Sequence, residues 1–259
     1  MGQEVHGFCG TLKYSISKLL YEFIGTMLFT MVFLSNGTGS GRILISLWIL
    51  TVFCWKISGS HFNPAISVAY IFRRDAGGLP KMLAFLYVLA QIAGAYIGGL
   101  LMTWLQSELH AMQPQIDTTN NNTFRAILQE SLGSFVFVFF FMTQTEQTIM
   151  LSKEEAINCL VIASGYVTAR TMVFGQWSKI STYGACLNPA IALSVMFNSP
   201  LKKDVSGGDS FKYIWLYPVF PFLGSLLSLI FYEFVFKKAR ELCNKPAEGS
   251  DTSSEGKAE

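Results

Sequence analysis

The sequence predicts an all-α membrane protein with six transmembrane helices and two re-entrant half-helices, arranged as an inverted repeat. Composition is the first observation: of 259 residues, 51% are hydrophobic and 14% charged, and the mean hydropathy is +0.39. A soluble domain usually carries about 25% charged residues. The second observation is a series of long apolar stretches. The third is a tripeptide that occurs twice, as Asn63-Pro64-Ala65 and Asn188-Pro189-Ala190.

Six stretches are apolar enough to cross a bilayer core, which requires about 20 residues of helix. The first ends at a segment rich in Gly and Ser. The second is short, but it lies between Arg42 and Lys56, whose long side chains can extend to the two interfaces. In chain order, the predicted spans are residues 18–34, 43–55, 82–105, 126–142, 156–174 and 213–236.

Two further apolar stretches, residues 63–72 and 188–197, are too short to cross the membrane. Ten residues of helix extend about 15 Å, which is half of the bilayer core. Each stretch follows the second span of its half of the chain. Three spans per half give the two halves opposite orientations, so the half-helices enter from opposite faces and meet near the midplane.

The repeat is also visible in the first span of each half. The segment 22–26, with Glu22 and Gly25, corresponds to the segment 130–134, with Glu130 and Gly133. The two halves therefore share two separate motifs, and a repeated fold explains both.

The Asn-Pro-Ala motifs have a chemical consequence at membrane depth. Proline fits the first turn of a helix, where its missing N–H needs no partner, and asparagine is a good N-cap. Two opposed helix N-termini would place positive dipole ends and the NH2 groups of Asn63 and Asn188 at the membrane centre. Water or a hydroxyl group can accept hydrogen bonds there, whereas a cation or proton meets positive potential and loses its hydration.

The motifs and their flanks, residues 58–65 and 184–190, resemble the pore loops of the aquaporin (major intrinsic protein) family. The resemblance covers most of residues 18–236. It implies a passive channel for water and small neutral solutes, a separate pore in each chain, a homotetramer in the lipid bilayer and no cofactor. By position it implies pore-lining residues Asn63, Pro64, Ala65, Asn188, Pro189 and Ala190, pore carbonyls at Gly59, Ser60, His61, Gly184, Cys186 and Leu187, and loop anchors at Glu22 and Glu130.

The sequence departs from the family at the outer selectivity filter. Most members have an arginine directly after the second Asn-Pro-Ala, and Ile191 stands there in this chain. By the family's spacing, the other filter positions are Ile43, Gln176 and Ala185. This set has no fixed charge and one polar side chain. We expect less stringent selection, with passage of water and of small neutral solutes such as glycerol, urea or ammonia; a tight apolar ring that closes by dewetting is the alternative.

Two residues near the filter bear on the identity of the solute. The acidic residue that often follows the filter arginine in glycerol-conducting members is absent, because Ala192 stands there. Arg170 lies within the fifth span, where an ionisable residue is a functional candidate. It either replaces the missing filter cation, or it extends outward or pairs between subunits.

Charge distribution predicts cytoplasmic termini. Of the 19 Lys and Arg residues, twelve fall in segments that are cytoplasmic if the N-terminus is inside, and six fall in outer segments. Two candidate glycosylation sites, Asn36 and Asn121, are then extracellular. The predicted organisation is a cytoplasmic N-terminus (1–17), a first pore repeat (18–110), an extracellular loop (111–124), a second pore repeat (125–242) and a disordered cytoplasmic tail (243–259), in the plasma membrane or an intracellular vesicle membrane.

Several function classes are disfavoured. A net charge of +2 without a basic stripe argues against nucleic acid, and five scattered cysteines suggest neither a disulfide framework nor a zinc site. The sequence shows no cluster of a base, a nucleophile or metal ligands, so it does not predict an enzyme. Two competing functions stay open: a structural or junctional membrane protein with little conductance, favoured by the apolar filter, and a secondary transporter, since inverted repeats with broken helices also occur there.

Overall fold

The computed structural model describes residues 2–35, 39–74, 78–105, 122–174, 185–201 and 210–244, with side chains from residue 15 onward except that of residue 174. The described chain contains helices and their connections. The helices are α1 (Gly2–Leu34), α2 (Ser40–Ser58), α3 (Pro64–Ile71), α4 (Lys81–Leu105), α5 (Asn122–Thr145), α6 (Glu155–Phe174), α7 (Pro189–Asn198) and α8 (Phe220–Phe231). Helix α8 continues through a π-helical segment, Tyr232–Phe236, into α9 (Lys237–Asn244).

Within these residues, six helical segments are long and apolar enough to cross a membrane, which confirms the predicted fold class. They are Ser15–Leu34, Ser40–Ser58, Lys81–Leu105, Asn122–Thr145, Glu155–Val173 and Phe220–Asn244. Large apolar side chains cover the outside of the bundle; Phe53 is 75% exposed and Trp104 is 81% exposed. Such a surface suits contact with lipid rather than water.

The two predicted half-spans are short helices. Helix α3 has eight residues and α7 has ten, and both consist of apolar and small residues that are mostly buried. At 1.5 Å per residue they extend about 12 and 15 Å. They contact each other inside the bundle, where α3 also packs on α4 and α8, and α7 packs on α4.

The helix boundaries differ from the sequence-based prediction at both ends of the chain. Helix α1 begins at Gly2 rather than near residue 18, and the last helix begins at Phe220 rather than at Tyr213. Residues 212–219 form turns instead. Pro218 restricts the residue before it and has no N–H to donate, so a regular helix starts only beyond it, with Pro221 in its first turn. At the far end the helix extends to Asn244, inside the segment predicted to be disordered.

The repeat determines how the helices pack. Helix α1 packs on α4, and α5 packs on α8. A Cβ atom on Gly94 would lie 2.2 Å from the carbonyl oxygen of Phe23, and one on Gly224 would lie 2.0 Å from that of Ser131. Since Phe23 and Ser131 each follow the glutamate of their repeat, the same close backbone contact occurs in both halves.

Candidate functional site

The asparagine of each Asn-Pro-Ala motif caps a half-helix whose first residue is the proline. The Oδ1 atom of Asn63 accepts a hydrogen bond from the backbone N–H of Ala65 at 2.9 Å. The Oδ1 atom of Asn188 accepts one from Ala190 at 3.0 Å. Both asparagines have extended backbones, as N-cap residues do. The two motifs thus have the same local structure, with both helix N-termini directed into the protein interior.

The two asparagines also hold each other's loop. The Nδ2 atom of Asn63 donates to the carbonyl oxygen of Leu187 at 2.8 Å, and Nδ2 of Asn188 donates to that of Phe62 at 2.8 Å. Asn63 is 2% exposed and Asn188 is 0% exposed. An amide NH2 carries two hydrogens, so each asparagine can hold the opposite loop with one and offer the other to a passing acceptor.

The loops that precede both motifs have an unusual backbone. Ser60, Phe62, Ala185 and Leu187 have φ values of 52°, 47°, 52° and 55°, in the left-handed region. They occupy the third and first positions before each asparagine. A residue with a Cβ atom in this region costs on the order of 1–3 kcal/mol. The surrounding structure must therefore hold both loops in place.

Two buried glutamates provide that support. The carboxylate of Glu22 accepts from the backbone N–H groups of His61 (3.0 Å) and Phe62 (2.8 Å). The carboxylate of Glu130 accepts from those of Cys186 and Leu187, both at 2.8 Å. Hydrogen bonds to a charged acceptor are roughly twice as strong as neutral ones. Each glutamate thus binds the two backbone N–H groups that precede an Asn-Pro-Ala motif, in the same way in both repeats.

Glycine completes the repeated support. A Cβ atom on Gly25 would lie 1.9 Å from Cε1 of Phe62, and a Cβ atom on Gly133 would lie 2.4 Å from Cδ2 of Leu187. Phe62 and Leu187 each directly precede the asparagine of their motif. The Glu-x-x-Gly pattern in the first helix of each repeat thus binds the loop with its glutamate and leaves space for the loop side chain with its glycine.

Protein donors hold some of the carbonyls that were predicted to face the pore. The carbonyl oxygen of Leu187 accepts from Asn63 at 2.8 Å, and that of Cys186 accepts from the Tyr166 hydroxyl at 3.1 Å. A carbonyl oxygen has two lone pairs, so each can accept a second bond. Gly59 ends α2 with φ 85°, and Gly184 lies outside the described residues.

Two other loop residues are held by side-chain contacts inside the bundle. The Ser60 hydroxyl donates to the carbonyl of Thr51 at 2.9 Å. The Nδ1 atom of His61 lies 3.1 Å from the Ser67 hydroxyl, and its ring centre lies 4.7 Å from that of Tyr70. Packing and hydrogen bonding thus fix the His61 ring in a buried site.

Three of the predicted filter residues are buried and apolar. Ile43 is 1% exposed, Ala185 is 1% exposed and Ile191 is 0% exposed, and all three belong to one hydrophobic cluster. The fourth position, Gln176, lies outside the described residues. Within the part of the site that the structure describes, the filter positions contribute no polar side chain.

A column of aromatic rings extends through the bundle from Phe29 to His61, which lies in the loop before the first Asn-Pro-Ala motif. The ring centre of Tyr166 lies 5.3 Å from that of Phe29 and 5.0 Å from that of Phe137. Phe137 is followed by Phe141 at 6.3 Å, and Phe141 lies 5.6 Å from His61. Helices α1, α5 and α6 and the first loop thus contribute to one continuous row.

Sequence reasoning missed this column, although the repeat contains the signal for it. Phe29 and Phe33 of α1 correspond to Phe137 and Phe141 of α5 at the same spacing, 108 positions, that separates the two anchoring glutamates. Extending the comparison of the two halves about two to three turns beyond Glu22 would have found both pairs.

Arg170 of α6 points toward the interior of the bundle. Its guanidinium carbon lies 4.6 Å from the centre of the Phe33 ring, and Phe33 is 1% exposed. A side chain that reached outward to the lipid headgroups would not contact a buried ring. This position argues against the outward-extending alternative.

Cys186 is fully buried beside the second motif. Its Sγ atom donates to the carbonyl oxygen of Asn188 at 3.2 Å. Cys54 and Cys159 are buried as well, whereas Cys243 is exposed at the end of α9. The Cys186 thiol is thus held within the loop structure.

A second polar cluster lies where α3, α5 and the π-helical segment meet. The Arg73 side chain is 0% exposed and donates to the hydroxyls of Tyr70 (2.8 Å) and Tyr232 (3.3 Å). It also forms an ion pair with Glu146 at 3.4 Å, and Lys237 forms another with the same carboxylate at 3.4 Å. Arg73 was counted from the sequence only as one of the charges of a cytoplasmic loop.

The candidate glycosylation sites Asn36 and Asn121 and residues 245–259 lie outside the described residues.

Comparisons with known proteins agree with this geometry. The profile of one family, described as Major intrinsic protein, matches residues 11–232. The glycerol uptake facilitator protein of Streptococcus pneumoniae is 28% identical over 253 residues, covering 84% of this chain and 98% of that protein. The corresponding protein of Bacillus subtilis is 28% identical over 244 residues, covering 83% of this chain and 84% of that protein. The X-ray structure of the aquaglyceroporin from Plasmodium falciparum matches with a TM-score of 0.69 at 20% identity, over 88% of this chain and 99% of that chain.

Proposed function

The chain belongs to the major intrinsic protein family, and from that membership we propose that it is a passive channel for water and small neutral solutes. It is an integral multi-pass membrane protein and, like other members of its family, not an enzyme. The observation that carries the proposal is the pair of crossed hydrogen bonds from Asn63 and Asn188, because it places two amide donors and two helix N-termini at one point.

Exclusion of ions follows from the same point. The positive ends of α3 and α7 meet where Asn63 and Asn188 lie, and both asparagines are buried, so an ion that entered would lose much of its hydration shell. A neutral solute with an accepting oxygen gains hydrogen bonds from the two amides. The site therefore favours neutral hydrogen-bonding molecules over protons and cations.

The filter supports a relaxed choice among such molecules. The side chains of Ile43, Ala185 and Ile191 are apolar and donate no hydrogen bond. They therefore do not select water over other small neutral solutes. The relatives named glycerol uptake facilitators support a solute with an alkyl part. We include glycerol, urea and ammonia in the proposed range together with water.

The proposal extends to topology and assembly. Both termini are placed in the cytoplasm, residues 18–110 and 125–242 form the two pore repeats, and residues 111–124 connect them outside. The protein resides in the plasma membrane or a vesicle membrane as a homotetramer with a pore in each subunit. The excess of Lys and Arg in the segments assigned to the inside supports this orientation.

The experiment is stopped-flow light scattering on proteoliposomes that contain the purified full chain. Water, glycerol, urea and ammonia permeabilities are compared for the wild type, Asn188→Asp and Ile191→Arg. We expect flux above that of protein-free liposomes, loss of flux in Asn188→Asp and selective loss of the larger solutes in Ile191→Arg. If well-folded wild-type protein gave no more flux than protein-free liposomes, the channel proposal would be contradicted.

A second candidate is a structural or junctional membrane protein with little conductance. The aromatic column and the burial of the filter residues favour it, because rings from α1, α5 and α6 contact one another across the bundle interior. The same proteoliposome experiment separates the two candidates. If the second function is correct, the wild type and Asn188→Asp both give the flux of protein-free liposomes.

A further inference from the structure

We propose that Arg170 of α6 supplies the fixed cation of the outer constriction, in place of the arginine that is absent at Ile191. The inference rests on the proposed channel function, because it assigns the residue that determines which neutral solutes pass and that repels cations. It depends on the position of one side chain, on the surfaces next to it and on its charge.

The position of Arg170 follows from its spacing to Tyr166. The two residues are four apart on α6, so their side chains lie on the same face of the helix. The Tyr166 hydroxyl donates to the carbonyl oxygen of Cys186, two residues before Asn188. Arg170 lies about 6 Å further along the helix, in the direction of the end that leads into residues 175–188. The face that carries Arg170 is therefore the face that meets the second pore loop.

Two parallel contacts fix the direction of the side chain. Phe29 and Phe33 are four apart on α1, as Tyr166 and Arg170 are on α6. Phe29 contacts Tyr166 at 5.3 Å between ring centres, and Phe33 lies 4.6 Å from the Arg170 guanidinium carbon. The aromatic column thus continues outward by one step, and that last step pairs a cation with a ring.

The charge of Arg170 acts on the second pore loop and its anchor. Arg170 lies close enough to Glu130 and Cys186 to interact electrostatically with both. Glu130 holds the backbone of residues 186 and 187, so the guanidinium belongs to the surroundings of the same loop.

Among the described residues, the corresponding ring of the other repeat has different direct neighbours. Phe141 of α5 corresponds to Phe33 of α1 in the repeat. The side chain that α2 places beside Phe141 is Trp55, at 6.3 Å between ring centres. Phe33 thus packs directly on a cation, whereas the neighbours of Phe141 are aromatic rings, so the two repeats differ at this step of the column.

The chemistry of this corner indicates a class of solute. The guanidinium of Arg170 stacks on the Phe33 ring and brings a positive charge into apolar surroundings. Phe33 and the predicted filter residues Ile43 and Ile191 are apolar and belong to the same buried hydrophobic cluster. A fixed positive charge beside apolar side chains admits a small neutral molecule with C–H groups, such as a short polyol or an amide. It opposes a cation by direct repulsion.

The test uses proteoliposomes of the full chain with four proteins besides the wild type. Arg170→Leu removes the charge and Arg170→Lys retains it. Arg125→Leu is the matched control, since it removes an exposed arginine from the outer end of α5. The fourth protein combines Arg170→Leu with Ile191→Arg, which returns a cation from the loop side. Proton entry is followed with a trapped pH-sensitive dye, and water and glycerol entry by light scattering.

We expect Arg170→Leu to raise proton entry at least about tenfold and to change the glycerol-to-water permeability ratio, because a fixed positive charge is removed from the proposed constriction. Arg125→Leu should match the wild type, Arg170→Lys should lie between, and the double variant should recover exclusion of cations. Recovery by the double variant also shows that a folding defect does not explain the single one.

The inference is overturned if Arg170→Leu elutes as a folded protein and has the ion entry and solute ratio of Arg125→Leu. The channel proposal is tested separately, by wild-type flux against Asn188→Asp. If the wild type conducts and Arg170→Leu has the same ion entry and solute ratio as the wild type, only the role of Arg170 is rejected. If the wild type does not conduct, both the channel proposal and the role of Arg170 are rejected.

Discussion

Gly25 of α1 leaves the space that the ring of Phe62 fills, since a Cβ atom on Gly25 would lie 1.9 Å from the ring carbon Cε1. Phe62 is the residue whose N–H binds Glu22 and whose carbonyl oxygen binds Asn188. A single missing side chain on α1 thus determines where one of the two pore loops lies. Gly133 has the same relationship to Leu187.

Gly25→Ala should therefore disturb the pore more than the fold. The new methyl group displaces the Phe62 ring and with it the carbonyl that holds Asn188, at an overpacking cost of about 1–3 kcal/mol. We expect water flux to fall severalfold and thermal stability to fall modestly. Gly41→Ala is the control, because nothing lies within 4 Å of that position in α2. Equal flux from the two variants would contradict this account.

Glu130→Gln tests the anchor of the second loop. The carboxylate accepts from Cys186 and Leu187, whereas an amide presents one acceptor and one donor and leaves a buried N–H unpaired. The expected cost is about 1–3 kcal/mol, with loss of flux. Glu155→Gln provides a control at a half-exposed carboxylate. Thermal unfolding in detergent and stopped-flow scattering measure the two effects; a Glu130→Gln protein that is as stable and conducting as Glu155→Gln would contradict the anchor role.

Arg73→Leu should destabilise the protein, and Arg74→Leu should not. The Arg73 side chain is 0% exposed and pairs with Glu146, while its neighbour Arg74 is exposed. Removing one partner of a buried pair costs about 3–5 kcal/mol. The loss of stability in Arg73→Leu should fall near the lower limit, because Glu146 still forms its ion pair with Lys237. The difference in thermal unfolding between the two variants is the measurement, and equal midpoints would show that the network contributes little.

Labelling of Cys243 tests the proposed orientation. This thiol is exposed at the end of α9, whereas Cys54, Cys159 and Cys186 are buried. In a Cys9→Ser background, we expect a membrane-impermeant maleimide to leave intact cells unlabelled and to label Cys243 once the membrane is permeabilised. Labelling of intact cells would place the C-terminus outside and reverse the topology.

Local interactions made much of the fold predictable. Apolar length separates full spans from half-spans, and the Asn-Pro sequence specifies a helix start through contacts within three residues. Those predictions hold for α3, α7 and the six spans. The predicted start of the last helix was wrong. The apolar stretch continues through Tyr213 and Trp215, but Pro218 decides where a regular helix can begin.

The sequence by itself determined the membrane class, the two repeats, the capped half-helices and the missing arginine at position 191. The tertiary structure alone decided that Asn63 and Asn188 bind each other's loops, that Arg73 is buried and that Arg170 points inward to Phe33. The physical reason is range. Helix length and caps depend on neighbouring residues, whereas these contacts join residues more than 70 positions apart and exist only after the two repeats pack together.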